Sequence, residues 1–218
     1  LGDYLATLHR AKGVDLRTGV KVTAIEDTGN ELRIILDGAP SVIADYAAIG
    51  IGAQPNVELA HAAGIETRDG IIVDQFGRSS DPAIFAAGDV TRHLNPLLGR
   101  HVRLEAWQNA QNQGIAVAKI IAGGEQAFSE VPWFWTDQYE TNLQMAGAPD
   151  KWDRVIFRGE PTDPGFTLFQ LLDGKVVAAV TVNNARDMRF GRSLIQNGKI
   201  VDPALLADKT NKLQDLVR

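Results

Sequence analysis

Apolar residues along this chain follow two regimes that change near residue 128. Leu5, Leu8 and Ala11 recur at helical spacing, with Asp3 placed to accept the first free backbone N–H groups. Residues 3–12 are therefore predicted helical, ending at Gly13. Residues 14–17 then read as a short strand. Three further runs, 20–25, 31–36 and 42–51, are separated by Asp27-Thr28-Gly29-Asn30 and by Asp37-Gly38, which predicts a β-meander. A short helix is expected over 56–63, closed by Gly64. Strands are expected at 71–74 and 84–87, on either side of the turn-rich Phe76-Gly77-Arg78-Ser79-Ser80-Asp81-Pro82. The strongest helix covers 105–122. Ala106, Ala110, Val117, Ile120 and Ile121 form its apolar face, and Gly123-Gly124 ends it.

Beyond residue 128 strand signals come in succession, at 143–146, 154–158, 166–172 and 175–182, with Asp173-Gly174 as the hairpin turn between the last two. Helices are predicted over 185–196 and 203–216. Strands followed by helices point to a separate α+β domain.

Composition removes several function classes. Hydrophobic residues at 44% and charged residues at 22% are near globular averages. The 218 residues suffice for one or two cored domains. No apolar run approaches the roughly 18 residues that span a bilayer, so no membrane partner is expected. No signal peptide opens the chain, though a truncated start would hide one, and a cytoplasmic location is expected. The absence of cysteine excludes disulfides and thiolate metal sites. The four histidines, His9, His61, His93 and His101, lack zinc-like spacing, so no metal is expected and they read as surface or loop residues. A net charge of −5 argues against nucleic acid as a general partner.

The densest chemical signal is Ile84-Phe85-Ala86-Ala87-Gly88-Asp89-Val90, read as a short buried strand that stops at a glycine followed by an acid. Gly88 lets backbone and ligand approach closely, and Asp89 offers an acceptor to a hydroxyl at the carboxyl end of the strand. Gly-Asp after a strand is also commonly just a turn.

Three more segments accompany it: Asp45-Tyr46-Ala47-Ala48-Ile49-Gly50-Ile51-Gly52-Ala53-Gln54-Pro55-Asn56, Arg103-Leu104-Glu105-Ala106-Trp107-Gln108-Asn109-Ala110-Gln111-Asn112-Gln113-Gly114, and Pro132-Trp133-Phe134-Trp135-Thr136-Asp137-Gln138. In this order they resemble the two-dinucleotide-binding flavoproteins. Within these, the Pro-Trp-Phe-Trp segment and Val182-Asn183-Asn184-Ala185-Arg186-Asp187 resemble the NADH-dependent ferredoxin reductases of bacterial dioxygenase and P450 systems. The fold this implies is α/β and α+β: partial Rossmann-like NAD- and FAD-binding domains, then a C-terminal α+β reductase domain. Residues 1–52 would end the NAD-binding domain, 53–127 the FAD-binding domain, and 128–218 would be the interface domain. Members of that family are longer and carry two Gly-x-Gly-x-x-Gly turns for cofactor pyrophosphates. Neither occurs here, and Gly50-Ile51-Gly52 runs on to Pro55 without the spacing. The chain thus reads as a C-terminal half, expected on its own to bind FAD poorly and to lack NADH-dependent turnover.

The resemblance implies FAD and NADH as cofactors and a 2Fe–2S ferredoxin, serving an oxygenase, as electron acceptor. A homo-oligomer is compatible with it. The cofactor carries the redox chemistry, so no acid–base residue is expected. Asp89, with Gly88, would face a ribityl hydroxyl of FAD. The helix beginning near Glu105, Ala106 and Trp107 would aim its N-terminus at the flavin pyrimidine edge, and Trp135 would lie by the ring. Gly50 and Gly52 would line the nicotinamide side, and Glu105 either meets the nicotinamide carboxamide or is a first-turn acid favoured by the helix dipole. Trp133 reads as a domain anchor. Arg186, Arg189 and Arg192, spaced by three on one predicted helix, are candidates for docking an acidic ferredoxin, or a solvated stripe. A rubredoxin reductase is the enzymatic alternative. A disulfide reductase lacks support because no His-Pro dipeptide occurs. A non-catalytic flavoprotein-like interaction module, as among apoptosis-inducing factors, is the non-enzymatic one.

Overall fold

Helix α1 (Gly2–Ala11) opens the chain as predicted, but Leu1 rather than Asp3 is its N-cap, and Asp3 sits in the first turn. The computed structural model describes residues 1–217 and separates into two units, Leu1–Ala53 and Gln54–Arg218. In the first unit the expected meander forms as β1 (Val22–Asp27), β2 (Leu32–Leu36) and β3 (Ala39–Ala44), antiparallel in that order. Its first turn is closed by Asp27, whose carboxylate accepts from the Gly29 N–H at 2.7 Å, and by the Thr28 N–H on the Glu31 carbonyl at 3.0 Å. Two expectations fail here. Residues 14–17 are not a strand, because no other segment of the unit pairs with their backbone. The third strand stops at Ala44, and 45–51 continue without a ladder.

The second unit begins with α2 (Glu58–Ala62), followed by a small sheet of β4 (Ile71–Val73), β5 (Thr91–Asn95) and β6 (Arg100–Val102). Strands β4 and β5 are parallel, while β5 and β6 form an antiparallel hairpin. The sequence reading missed this hairpin because its turn is shaped by one side chain. The Asn95 Oδ1 accepts from the N–H groups of Leu97 and Leu98 at 3.0 and 3.2 Å. The predicted strand at 84–87 is absent. Phe85 makes one isolated bridge to Arg78, and Ile84 folds back onto Asp81. The polar-looking Thr-Arg-His-Leu-Asn run of β5 is the real strand, buried at Thr91, His93 and Asn95. His93 therefore corrects the surface-or-loop assignment of the histidines. It lies in the core, edge-on to Phe128 at 5.5 Å, with no hydrogen-bond partner for either ring nitrogen among the described residues. Burial, with a smaller contribution from nearby His101, pushes its pKa down to about 4.

Helix α3 (Trp107–Ile121) packs Val117 and Ile120 inward. It is locked against the preceding loop at Gly77, which has φ of +76° and where a Cβ would collide with Val117. Then comes a five-stranded antiparallel sheet, ordered β7-β8-β11-β10-β9: β7 (Trp133–Gln138), β8 (Thr141–Ala146), β9 (Arg154–Arg158), β10 (Phe166–Leu172) and β11 (Lys175–Val182). Strand β7 is the Trp-Phe-Trp segment itself, which the sequence reading left without a secondary structure. Helix α4 (Ala185–Asn197) covers the sheet, and Phe169, Ala179, Met188 and Leu194 form the fully buried centre. This is the α/β plus α+β architecture expected.

The helix predicted over 203–216 is two short ones, α5 (Pro203–Ala207) and α6 (Leu213–Val217). The break has a physical cause. Buried Arg158 draws off the carbonyls of Leu206, Asp208, Lys209 and Asn211 at 3.2, 2.6, 3.5 and 2.8 Å. Asp208 turns its carboxylate onto the N–H and hydroxyl of Thr210 at 2.8 and 2.7 Å. Asp208, the C-cap of α5, is extended with ψ of 110°, and its carbonyl also accepts the Asn211 N–H at 3.1 Å, so a turn anchored on Arg158 stands between the two helices.

Candidate functional site

Gly88 and Asp89 sit in the turn that enters β5, not at the end of a strand. Gly88 has φ of +85°, a conformation that favours glycine, and a Cβ there would meet the Ala110 Cβ of α3 at 3.7 Å. The Thr91 N–H closes the turn on the Gly88 carbonyl at 2.9 Å. The Gly88 N–H donates to the Oε1 of Gln113 at 2.9 Å, which ties the turn to α3 two turns inside the helix. Asp89 is exposed, and its carboxylate makes no hydrogen bond to any described residue. Its acceptor capacity is unspent.

Ala106 is the extended N-cap of α3, with no side-chain cap, so the backbone N–H groups of Trp107, Gln108 and Asn109 are left without side-chain acceptors. Such a terminus favours negative charge. Glu105 precedes the helix and is not a first-turn acid, which corrects that option. It forms an ion pair with Arg103, which also reaches Asp69 at 3.0 Å. The hydrogen bond to Glu105 is the main cause holding the Arg103 guanidinium above its ordinary pKa.

Trp107 leads from this terminus into an aromatic cluster. Its ring meets Trp135 edge-on at 6.3 Å, and Trp135 stacks on Trp133 at 4.9 Å. Trp107 is 67% exposed and Trp135 41%, so two large rings beside an uncapped helix end are left uncovered by this chain. On the far side the Arg192 guanidinium lies over the Trp133 ring at 4.8 Å. Arg192 and Arg189 share the wall of a cleft of about 700 Å³ with Trp133, Gln144, Asn112 and Glu130. Arg186 is exposed on α4 but is not part of that wall.

The structure sets the Gly88-Asp89 turn against Ala110 and Gln113 of α3 and sets Trp107, the first residue of that helix, against Trp135, with Trp133 and Arg192 continuing outward. Glu105 is adjacent but already paired. Gly50 and Gly52 belong to the first unit, in the exposed stretch after β3, where Gly52 has φ of +93°. Gln113 was missed from sequence. Its signal was a polar residue on the inward side of a helix otherwise read for its apolar face, and it is 1% exposed.

The fit of a flavin can be tested on these observations. An exposed acceptor on a turn without a Cβ, an uncapped helix N-terminus and exposed indole rings match a ribityl hydroxyl, an electron-rich pyrimidine edge and a flat apolar ring. The residues present suit the flavin and ribityl end of FAD.

Comparison with known proteins finds relatives over nearly the whole chain. Residues 1–114 match the family described as pyridine nucleotide-disulphide oxidoreductase, and 133–217 match that described as reductase C-terminal. The ferredoxin–NAD(+) reductase component of the anthranilate 1,2-dioxygenase system of Burkholderia cepacia is 45% identical over 211 residues, covering 96% of this chain and 52% of that protein. A ferredoxin reductase for the CYP199A2 system from Rhodopseudomonas palustris superposes with a TM-score of 0.92 at 34% identity, over 99% of this chain and 54% of its own. The reductase in a covalent putidaredoxin reductase–putidaredoxin complex gives 0.93 at 35% identity, over 99% and 52%. The chain spans about half the length of the curated relatives it matches. With one family pattern across its first half and the reductase C-terminal pattern across most of the rest, the chain belongs to the pyridine nucleotide-disulphide oxidoreductase family.

Proposed function

We propose that this chain serves an FAD-dependent oxidoreductase that takes electrons from NADH and passes them to a 2Fe–2S ferredoxin supplying an oxygenase. The observation that carries the reading is that one helix, α3, packs the Gly88-Asp89 turn along its side and carries at its uncapped N-terminus the exposed Trp107–Trp135 pair. The naming of relatives as ferredoxin reductases of dioxygenase and P450 systems supports it.

Bound FAD supplies the conversion between the two-electron donor NADH and one-electron acceptors. The residues of this chain bind and orient. The Asp89 carboxylate accepts from a ribityl hydroxyl. The free N–H groups of Trp107, Gln108 and Asn109 face the edge that gains negative charge on reduction, where preorganised donors are most effective. Trp135 covers the ring and limits water. Gly50 and Gly52 belong to the nicotinamide side. On this reading residues 1–52 contribute to the NAD domain, 53–127 to the FAD domain, and 128–218 form the interface domain.

Arg189 and Arg192 give the electron-exit side positive charge suited to an acidic ferredoxin, a partner class supported by the structure of a relative bound to putidaredoxin. Among the described residues no helix is long and apolar enough to cross a membrane.

The test is Asp89→Ala in the flavin-loaded protein. Loss of one charged acceptor, worth roughly 1.5–3 kcal/mol, should weaken FAD binding roughly ten- to hundredfold. An unchanged FAD affinity would refute the assignment.

A further inference from the structure

Gln113 is a neutral polar side chain buried at 1% exposure in the middle of α3. Burying an amide requires partners, and its Oε1 takes two donors from one short segment. The Gly88 N–H reaches it at 2.9 Å and the Thr91 hydroxyl at 3.1 Å. The same hydroxyl stands 2.8 Å from the Gly88 carbonyl, which also accepts the Thr91 N–H at 2.9 Å. The hydroxyl has one proton to share between Gln113 and the Gly88 carbonyl. Four contacts therefore bracket Asp89 from both sides without touching it. Gly88, with φ of +85°, faces Ala110 of the same helix without crowding it.

We propose that Gln113, through Thr91, is a positioning residue for FAD. It fixes the Gly88-Asp89 turn in register with the first turn of α3, so that the carboxylate and the free helix N–H groups meet two parts of one ligand at once. The inference rests on the FAD reading of the site. Its physical basis is that the Asp89 side chain makes no hydrogen bond among the described residues, so the turn beneath it sets its direction. Without Gln113 the turn must be ordered at the moment of binding, and that ordering weakens affinity.

The experiment is a double-mutant cycle on FAD affinity of the intact protein, stripped of flavin and titrated with FAD, with flavin fluorescence as readout. Gln113→Met keeps side-chain volume and removes the acceptor. It should weaken FAD about tenfold, the equivalent of one hydrogen bond. In an Asp89→Ala background the same substitution should change affinity less than twofold, because the group it positions is gone. Thermal midpoints of the flavin-free forms should fall by the same amount in both backgrounds. Thr91→Val, which leaves the Gln113 bond to the Gly88 N–H intact, should weaken FAD about threefold and also lose its effect beside Asp89→Ala. It decides the matter if Gln113→Met does not fold.

Parent-like FAD affinity in Gln113→Met, or in Thr91→Val where that variant decides, overturns the proposal. So does an equal loss in both backgrounds, which would mark general packing. If Asp89→Ala alone binds FAD as the parent does, the FAD assignment itself falls, and the two failures are thereby separated.

Discussion

Replacing Arg158 with methionine should cost more stability than any surface change in the chain. Arg158 is 8% exposed and its guanidinium is saturated. Its Nε meets the Asp187 carboxylate at 3.1 Å, and its terminal nitrogens donate to four carbonyls between residues 206 and 211. Methionine fills much of the volume but supplies no donor. Among the described residues Asp187 then retains only neutral side-chain partners, the Thr167 hydroxyl at 3.0 Å and the Asn184 amide at 2.9 Å. Removing one member of a buried pair costs about 3–5 kcal/mol. The freed carbonyls of exposed Asp208 and Lys209 can turn to water, so they add little. The converse change, Asp187→Asn, leaves Arg158 its four carbonyls and should cost less, about 1–2 kcal/mol. Urea unfolding followed by tryptophan fluorescence measures both. A loss below about 1 kcal/mol for Arg158→Met, or a larger loss for Asp187→Asn, would refute the view that this arginine holds α4, α5 and α6 together.

Three further outcomes are expected. His93 has a folded pKa of about 4 against an ordinary 6.5, so the unfolded chain binds more protons between those values, and stability falls as pH drops through that window by up to about 3 kcal/mol; His93→Leu should flatten the thermal midpoint between pH 6.5 and 4, and an unchanged slope counts against it. Gly77→Ala forces a methyl into Val117 at a positive φ and should destabilise by about 2–4 kcal/mol, checked by the same unfolding assay. Under the proposed function, Arg189→Ser with Arg192→Ser should slow ferredoxin reduction while sparing ferricyanide, with less salt dependence than the parent, whereas Arg186→Ser should change little; equal kinetics across ionic strength for parent and double variant would return these arginines to a plain solvated face.

Much of the fold was legible in local pattern. The meander of β1 to β3, the long α3, the hairpin of β10 and β11 and the amphipathic α4 all follow from periodicity and turn residues that act within a few positions. Gly88, Asp89, Trp107 and Trp135 stand out by resemblance alone; the geometry brings Trp107 against Trp135 and Gly88 against α3.

What escaped depends on partners distant in sequence. Residues 84–87 are apolar enough for a strand, yet they pair only through the single bridge from Phe85 to Arg78 among the described residues, whereas the polar run 91–95 is a strand because β4 and β6 flank it. The helix over 203–216 is interrupted where Asp208 turns extended, in a connecting turn whose carbonyls are bound by Arg158, about 50 residues earlier. His93 looked like a loop histidine until burial beside Phe128 removed it from water. The sequence by itself determined where the chain can be helical, where it must turn and which segments carry ligand chemistry, since propensity, capping and period act locally. Only the tertiary structure decided which strands find ladders, which polar groups are buried, and that Gln113 reaches back 25 residues to hold the turn bearing Asp89, because hydrogen bonds and desolvation are settled by what lies nearby in space.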